Sequence, residues 1–153
     1  MSRAFVRETD EVPDLPDRPV SEHPNLVTAR GLARIEAEVE RHMAALGEAR
    51  AAEDRAKIAA AARELRYWTA RRASAELQPE PADAETVRFG SRVTIRRDDG
   101  REQTYRIVGE DEADPAAGTL SCVSPLARAL MGKSIGDVVP AGRGEAEIVK
   151  IGT

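Results

Sequence analysis

Two helical patterns meet at a short polar stretch between Thr28 and Leu77, and they constrain the fold more than any other feature of the sequence. In each arm, apolar residues recur at alternating steps of three and four, a heptad period typical of one helix lying along another. Neither proline nor glycine interrupts residues 50–76. The pattern predicts an antiparallel helical hairpin with its turn near residue 52. The two stripes consist of Leu32, Ile35, Val39, His42, Leu46 and Ala49, then Ile58, Ala61, Leu65 and Trp68.

The predicted arms are long for the apolar surface that they carry. An arm from Thr28 to Ala51 would extend about 36 Å at the rise of an α-helix. Its apolar stripe is wide enough for one partner helix only. The hairpin is therefore expected to be a projecting rod, and Thr28 is expected to be the N-cap of its first helix.

Composition excludes several classes of protein. The single cysteine, Cys122, rules out a disulfide framework, and with only His23 and His42 elsewhere it cannot form a metal site. We therefore expect no cofactor and no intrinsic metal. The N-terminus lacks the apolar core of a signal peptide, and no apolar run approaches the length of a membrane span. These features predict a cytoplasmic protein without a membrane partner.

The hairpin is the only segment with a net positive charge, ten basic against eight acidic side chains. Its arginines could contact nucleic acid directly or simply form a solvated helix face. The excess is small and no interleaved aromatic residues support base stacking, so we interpret the charges as a solvated face. Contact with nucleic acid is expected only through a larger complex. The arginines concerned are Arg63, Arg66, Arg71 and Arg72.

The remaining sequence divides around the hairpin. Residues 1–24 are acidic and rich in proline, which predicts an extended or disordered tail before a hairpin at 25–78. Residues 79–85 contain two prolines and are expected to be a linker. Residues 86–153 combine several β-rich runs with a short helix that begins at Ser124–Pro125. The whole chain is therefore predicted to be α+β, with a helical hairpin followed by a small antiparallel sheet and one short helix.

The second module contains four motifs, Val87–Val93, Tyr105–Asp114, Ser124–Lys133 and Gly136–Asp137. In this order they resemble the C-terminal domain of the bacterial Gre transcript-cleavage factors. Val27–Leu32 is similar to the opening of the Gre hairpin, so the resemblance extends to both modules. It implies an FKBP-like domain that binds RNA polymerase at the rim of its secondary channel, and a hairpin that enters the channel toward the catalytic magnesium. We expect the chain to be a monomer.

The resemblance also identifies two candidate sites. Val123, Ser124 and Pro125 match the polymerase-docking loop, although many relatives have Asp or Asn where this chain has Val123. At the hairpin tip, the family's Asp-Leu-x-Glu-Asn-Ala-Glu-Tyr cleavage motif is absent, and Glu53 and Asp54 stand there among basic residues. The shorter arms and different tip also resemble the Rnk-type relatives, which bind polymerase but are not cleavage factors.

Each candidate residue has a structural alternative. Glu53 and Asp54 could supply oxygen ligands to magnesium, or Asp54 could cap the second helix while Glu53 faces its positive end. Ser124 is expected to be a helix cap, because the C-terminal module has no histidine to activate it as a nucleophile. We therefore assign no catalytic residue.

Three functions are compatible with these features. The first is a polymerase-binding transcription factor that modulates elongation without efficient stimulation of transcript cleavage, with a true cleavage factor using Glu53 and Asp54 as its alternative. The second is a prolyl isomerase, which the presence of only Phe89 and Tyr105 as pocket aromatics argues against. The third is a coiled-coil adaptor for another protein.

Overall fold

A computed structural model of the 153-residue chain describes residues 15–152. Residues 1–14 of the predicted tail lie outside the described residues. The chain forms two compact units, one containing residues 35–73 with the segment that ends at Ser21, and the other containing residues 22–34 and 74–153. No helix within residues 15–152 has the length and apolarity needed to cross a membrane.

Helix α1 (Ala29–Ala51) and helix α2 (Arg55–Ser74) form the hairpin. Thr28 caps α1, because its Oγ1 accepts the Gly31 N–H at 2.9 Å and its carbonyl accepts the Leu32 N–H at 2.9 Å. The 23 residues of α1 give it a length of about 34 Å. Thr28 is thus the N-cap that the sequence predicted.

The buried side chains of the hairpin follow the predicted stripe closely in α1 and less closely in α2. Leu32, Ile58 and Leu65 are half-buried, so the stripe remains partly open to solvent. Arg71, which lies outside the predicted stripe, is only 2% exposed. The buried apolar residues are Ile35, Val39, Leu46, Ala49, Ala59, Ala61 and Trp68.

Residues 15–21 have no regular secondary structure and contact α2. The Arg18 guanidinium lies 3.8 Å from the centroid of the Tyr67 ring and 2.7 Å from the Glu64 carboxylate. Asp17 accepts a 2.5 Å hydrogen bond from Arg66 Nε. A cation that contacts an aromatic face and a carboxylate together holds this segment on the helix.

In the second unit, two short strands flank the hairpin in sequence. Strand β1 (Leu26–Val27) pairs in parallel with β2 (Glu76–Leu77). Gly109 lies against β1, since a Cβ atom at this position would be 2.3 Å from the Leu26 carbonyl oxygen. The approach is possible only because glycine has no side chain.

The main sheet has five strands, which are β3 (Arg92–Arg97), β4 (Glu102–Val108), β5 (Thr119–Ser121), β6 (Val138–Ala141) and β7 (Gly144–Gly152). Their order in the sheet is β5-β4-β3-β7-β6. The α+β class is confirmed, but the sheet is mixed and not purely antiparallel, because β5 pairs with β4 in parallel. Between these two strands, residues 109–118 make a turn and a 3₁₀ segment, so that β5 can run in the same direction as β4.

One face of this sheet forms the core with helix α3 (Pro125–Leu130), whose Ala127 and Leu130 are fully buried. Inward side chains alternate with outward ones along β3, where Val93 and Ile95 are buried between Arg92 and Arg96. The alternation leaves the opposite face of β3, β4 and β7 polar.

Two glycine-to-alanine substitutions are expected to have opposite effects. Gly109→Ala should lower the free energy of unfolding by roughly 2 kcal/mol or more, because the new methyl group meets the backbone of β1. Gly47→Ala should raise it by about 0.5 to 1 kcal/mol, because Gly47 lies within α1 and a Cβ there meets nothing within 4 Å. Chemical denaturation of both variants measures the difference, and a Gly109→Ala protein as stable as the wild type would contradict the close approach.

Candidate functional site

The hairpin tip is a tight turn closed by two backbone hydrogen bonds. The Glu53 N–H donates to the Arg50 carbonyl at 3.1 Å, and the Asp54 N–H donates to the Ala49 carbonyl at 3.0 Å. These two bonds form a Schellman motif, in which the residue after the helix cap adopts a left-handed conformation. That residue is Glu53, with φ of 52°, where most such turns have glycine.

Asp54 begins the second helix. Its Oδ1 accepts the Lys57 N–H at 3.1 Å, and its carbonyl accepts the Ile58 N–H at 2.9 Å. Asp54 is therefore the N-cap of α2, where a negative charge also meets the positive end of the helix. Glu53 is exposed, and neither carboxylate forms an ion pair with any residue between 15 and 152.

The tip does not by itself fit a resident magnesium ion. Magnesium takes a near-octahedral set of oxygen ligands, usually one or two protein carboxylates completed by waters and by phosphates of a substrate. One oxygen of Asp54 already accepts a helix N–H. In the described part of the chain, no three His, Cys, Asp or Glu side chains are grouped so that they could hold a metal. The exposed cations Arg50, Arg55 and Lys57 also flank the two carboxylates in sequence.

The loop before α3 contains the other candidate residues. Ser124 Oγ donates to the Ser121 carbonyl at 2.7 Å and accepts the Ala127 N–H at 3.3 Å. The hydroxyl proton is thus engaged, and the oxygen caps the helix. This arrangement suits a rigid helix start and not a nucleophile, because no base takes the proton.

Val123 and Pro125 differ in exposure on either side of this cap. Val123 is half-buried and its N–H donates to Ser121 Oγ at 3.3 Å, whereas Pro125 is exposed at the first position of α3. Burial, followed by the negative charge of Glu110, raises the pKa of the neighbouring Cys122 thiol. The thiol is therefore less reactive near neutral pH than an exposed cysteine.

The structure brings Val123, Ser124 and Pro125 together in one loop, and it places Glu53 and Asp54 together in one turn. Sequence reasoning missed the left-handed conformation of Glu53, since no glycine or asparagine marks the position. It also missed the contacts of Asp17 and Arg18 with α2. The only available signal was the pairing of an acidic and a basic residue in the tail with opposite charges on the hairpin.

Comparison with known proteins establishes the family. The family model described as "Transcription elongation factor, GreA/GreB, C-term" matches residues 81–153. A transcription elongation factor GreA from Hyphomonas neptunium is 41% identical over 150 residues, which cover 82% of this chain and 95% of that relative. The chain belongs to the GreA/GreB family of transcription elongation factors. The family indicated by the sequence motifs is thereby confirmed.

Other relatives of this GreA/GreB-family chain match over different spans. GreA of Chloroflexus aggregans is 34% identical over 164 residues, covering 86% of this chain and 99% of the relative. GreB of Neisseria meningitidis serogroup B is 45% identical over 95 residues, 58% of each chain. Among solved structures, the Gfh1 protein of Thermus thermophilus has a TM-score of 0.42 at 22% identity, covering 86% of this chain and all of that one.

The left-handed residue at the tip gives a stability prediction for this factor. Glu53→Gly should raise the free energy of unfolding by roughly 1 kcal/mol, because glycine adopts positive φ without steric cost. Glu53→Ala removes the same carboxylate but keeps the Cβ atom, so it should remain within about 0.5 kcal/mol of the wild type. Denaturation of both variants separates backbone strain from charge. A Glu53→Gly protein no more stable than Glu53→Ala would exclude strain at this turn.

Proposed function

We propose that this chain binds RNA polymerase at its secondary channel and modulates elongation there without efficient stimulation of transcript cleavage. The C-terminal module would dock through the loop of Val123, Ser124 and Pro125, while the helical hairpin occupies the channel. The factor would act in the cytoplasm as a monomer, without a cofactor of its own, and would meet nucleic acid only within the transcription complex. Membership of the GreA/GreB family supports this assignment.

The structural surroundings of the two tip carboxylates support the second part of the proposal, that the factor does not stimulate transcript cleavage efficiently. Asp54 caps α2 through the Lys57 N–H, and Glu53 occupies the C-terminal turn of α1. Asp54 thus has a structural role that explains its presence without metal chemistry, whereas the left-handed turn at Glu53 would form more easily with glycine. Cations next to them in sequence would also disfavour a second metal ion at the tip. The alternative, a cleavage factor, draws support from the exposure of Glu53.

The C-terminal module has the features of a binding domain. Pro125 is exposed beside a serine whose hydrogen bonds are internal, so the loop presents a fixed apolar surface. Phe89 and Tyr105, the aromatic residues available for a prolyl-isomerase pocket, pack against the core. They are therefore engaged in stabilising the sheet, which favours a docking role over isomerase chemistry.

Binding to purified core polymerase tests the docking half of the proposal. The wild type should bind at micromolar concentrations or below and should be displaced by a GreA protein. Pro125→Glu should weaken binding at least about tenfold, since it places a charge in the docking surface. Glutamate is tolerated at the first turn of a helix, so the cap should remain intact.

Pro140→Glu is the matched control, because Pro140 is exposed on strand β6 of the same module. It should leave the affinity unchanged within about twofold. Absence of binding by the wild type at micromolar concentrations, or equal losses in both variants, would contradict docking through the loop.

Backtracked elongation complexes test the role of the tip. Addition of the factor should leave the rate of transcript shortening at that of polymerase alone, with a GreA protein as positive control. The double variant Glu53→Asn/Asp54→Asn removes both charges while asparagine still caps a helix and tolerates positive φ. If the wild type accelerates shortening and this variant does not, the chain is a cleavage factor and the proposal is wrong.

A further inference from the structure

The outward face of the main sheet carries a groove lined mainly by cations and hydroxyl groups. It consists of two adjoining cavities of about 270 and 260 Å³, which share Arg92 and Thr104. Arg30 and Arg106 line the first cavity, and Lys150 lines the second. We call these residues the cationic groove. All of them belong to the unit of residues 22–34 and 74–153.

Strand register places like charges side by side in this groove. Arg92 on β3 lies directly opposite Arg106 on β4, and Thr94 lies opposite both Thr104 and Lys150. Like charges at directly opposed positions destabilise a sheet. Four residues along β3 from Arg92, on the same face, Arg96 instead forms a 3.1 Å ion pair with Glu102. The unfavourable arrangement is thus confined to the groove.

The nearby carboxylates only partly balance the cations. Glu112 lines the first cavity but accepts a 2.5 Å hydrogen bond from the Thr28 hydroxyl at the N-terminus of α1. Glu80 lies 2.8 Å from Arg106, and its side chain is 68% exposed, so water weakens this pair. Arg106 Nε is buried without a hydrogen-bond partner.

The other cations retain their binding capacity. Arg30, Arg92 and Lys150 form no ion pair with the described residues. Arginine presents several N–H donors in a fixed plane, a geometry that matches phosphate oxygens. The Thr94 and Thr104 hydroxyls are hydrogen-bonded to each other at 2.8 Å, so one of the two keeps its proton for a ligand oxygen. Thr104 lines both cavities and Thr94 lines the second.

We propose that the cationic groove binds a short polyphosphate, either free pyrophosphate or the polyphosphate of a nucleotide. Two neighbouring cavities joined through Arg92 provide places for two consecutive phosphate groups. One phosphate contacts Arg30 and Arg106, the next contacts Lys150, and Arg92 contacts both. The ligand supplies the negative charge that the carboxylates of this face do not.

The extent of the charged surface favours this ligand over a nucleic-acid strand. The groove's cations on β3 and β4 end where Arg96 pairs with Glu102. From Arg92 to Thr94, the position opposite Lys150, the strand advances by two residues, or about 7 Å. This length accommodates a pyrophosphate group but not a run of nucleotides. A surface for a nucleic-acid backbone would be expected to continue its basic track over several nucleotides.

Titration calorimetry of the full chain with pyrophosphate in magnesium-free buffer tests the proposal. Orthophosphate, a nucleoside triphosphate and a ten-nucleotide DNA strand are the comparison ligands. Pyrophosphate should bind at least about tenfold more tightly than orthophosphate, because it engages both cavities. Arg92→Gln should weaken pyrophosphate binding at least about tenfold, since it removes the cation shared by both phosphates. A triphosphate that binds tighter than pyrophosphate would identify nucleotides as the source of the ligand.

Arg96→Gln is the matched control, because Arg96 lies on the same face of β3 outside the groove. The affinity of this variant for pyrophosphate should stay within about twofold of that of the wild type. Thermal unfolding without ligand checks the fold. Arg92→Gln should not lower the midpoint, since it removes a like-charge contact with Arg106. If Arg92→Gln lowers the midpoint, Lys150→Gln replaces it, and the loss of pyrophosphate affinity is then measured at the second cavity.

Three results would overturn the proposal. The first is no pyrophosphate binding by the wild type at millimolar concentrations. The second is an equal loss of affinity in Arg92→Gln and Arg96→Gln, which would indicate general surface charge. The third is tighter, Arg92-dependent binding of the DNA strand than of pyrophosphate, which would identify a nucleic-acid surface. None of these measurements depends on polymerase, so the groove and the proposed elongation role can fail separately.

Discussion

The two backbone hydrogen bonds at the hairpin turn fix the geometry on which the first unit depends. They close α1 at Ala51 and allow α2 to begin at Arg55, so that the two apolar stripes can meet. Such a tight connection requires one left-handed residue, and the chain places Glu53 there. The same few residues therefore satisfy the helix ends and present the side chains that any channel-binding role would use.

Hydrogen bonds at the starts of the helices give several polar side chains a structural role. Asp54 and Ser124 accept helix N–H groups. Glu112 is held near the start of α1 by the Thr28 hydroxyl. These hydrogen bonds stabilise local structure at the starts of the helices. Arg92 and Arg106 differ from these groups, because strand pairing places the two cations side by side and the nearby carboxylates only partly balance them.

Local features of the fold followed directly from the sequence. Thr28 and Ser124 are helix caps, as predicted, because a cap depends only on the few residues around it. The heptad stripe of α1 likewise predicted which side chains are buried there. Features that depend on distant segments were not predicted. The parallel pairing of β4 with β5 and the burial of Arg71 are examples.

The sequence by itself determined the two helices, their caps, the α+β class and the GreA/GreB family, because periodicity and motifs are encoded in consecutive residues. Only the tertiary structure decided that Arg92 lies opposite Arg106, since their cross-strand register comes from the folded sheet. Summed along the chain, the charges of the second module balance and give no sign of a cationic groove. The groove exists because the pleat sends alternate side chains of three strands to one face, where residues far apart in sequence become neighbours.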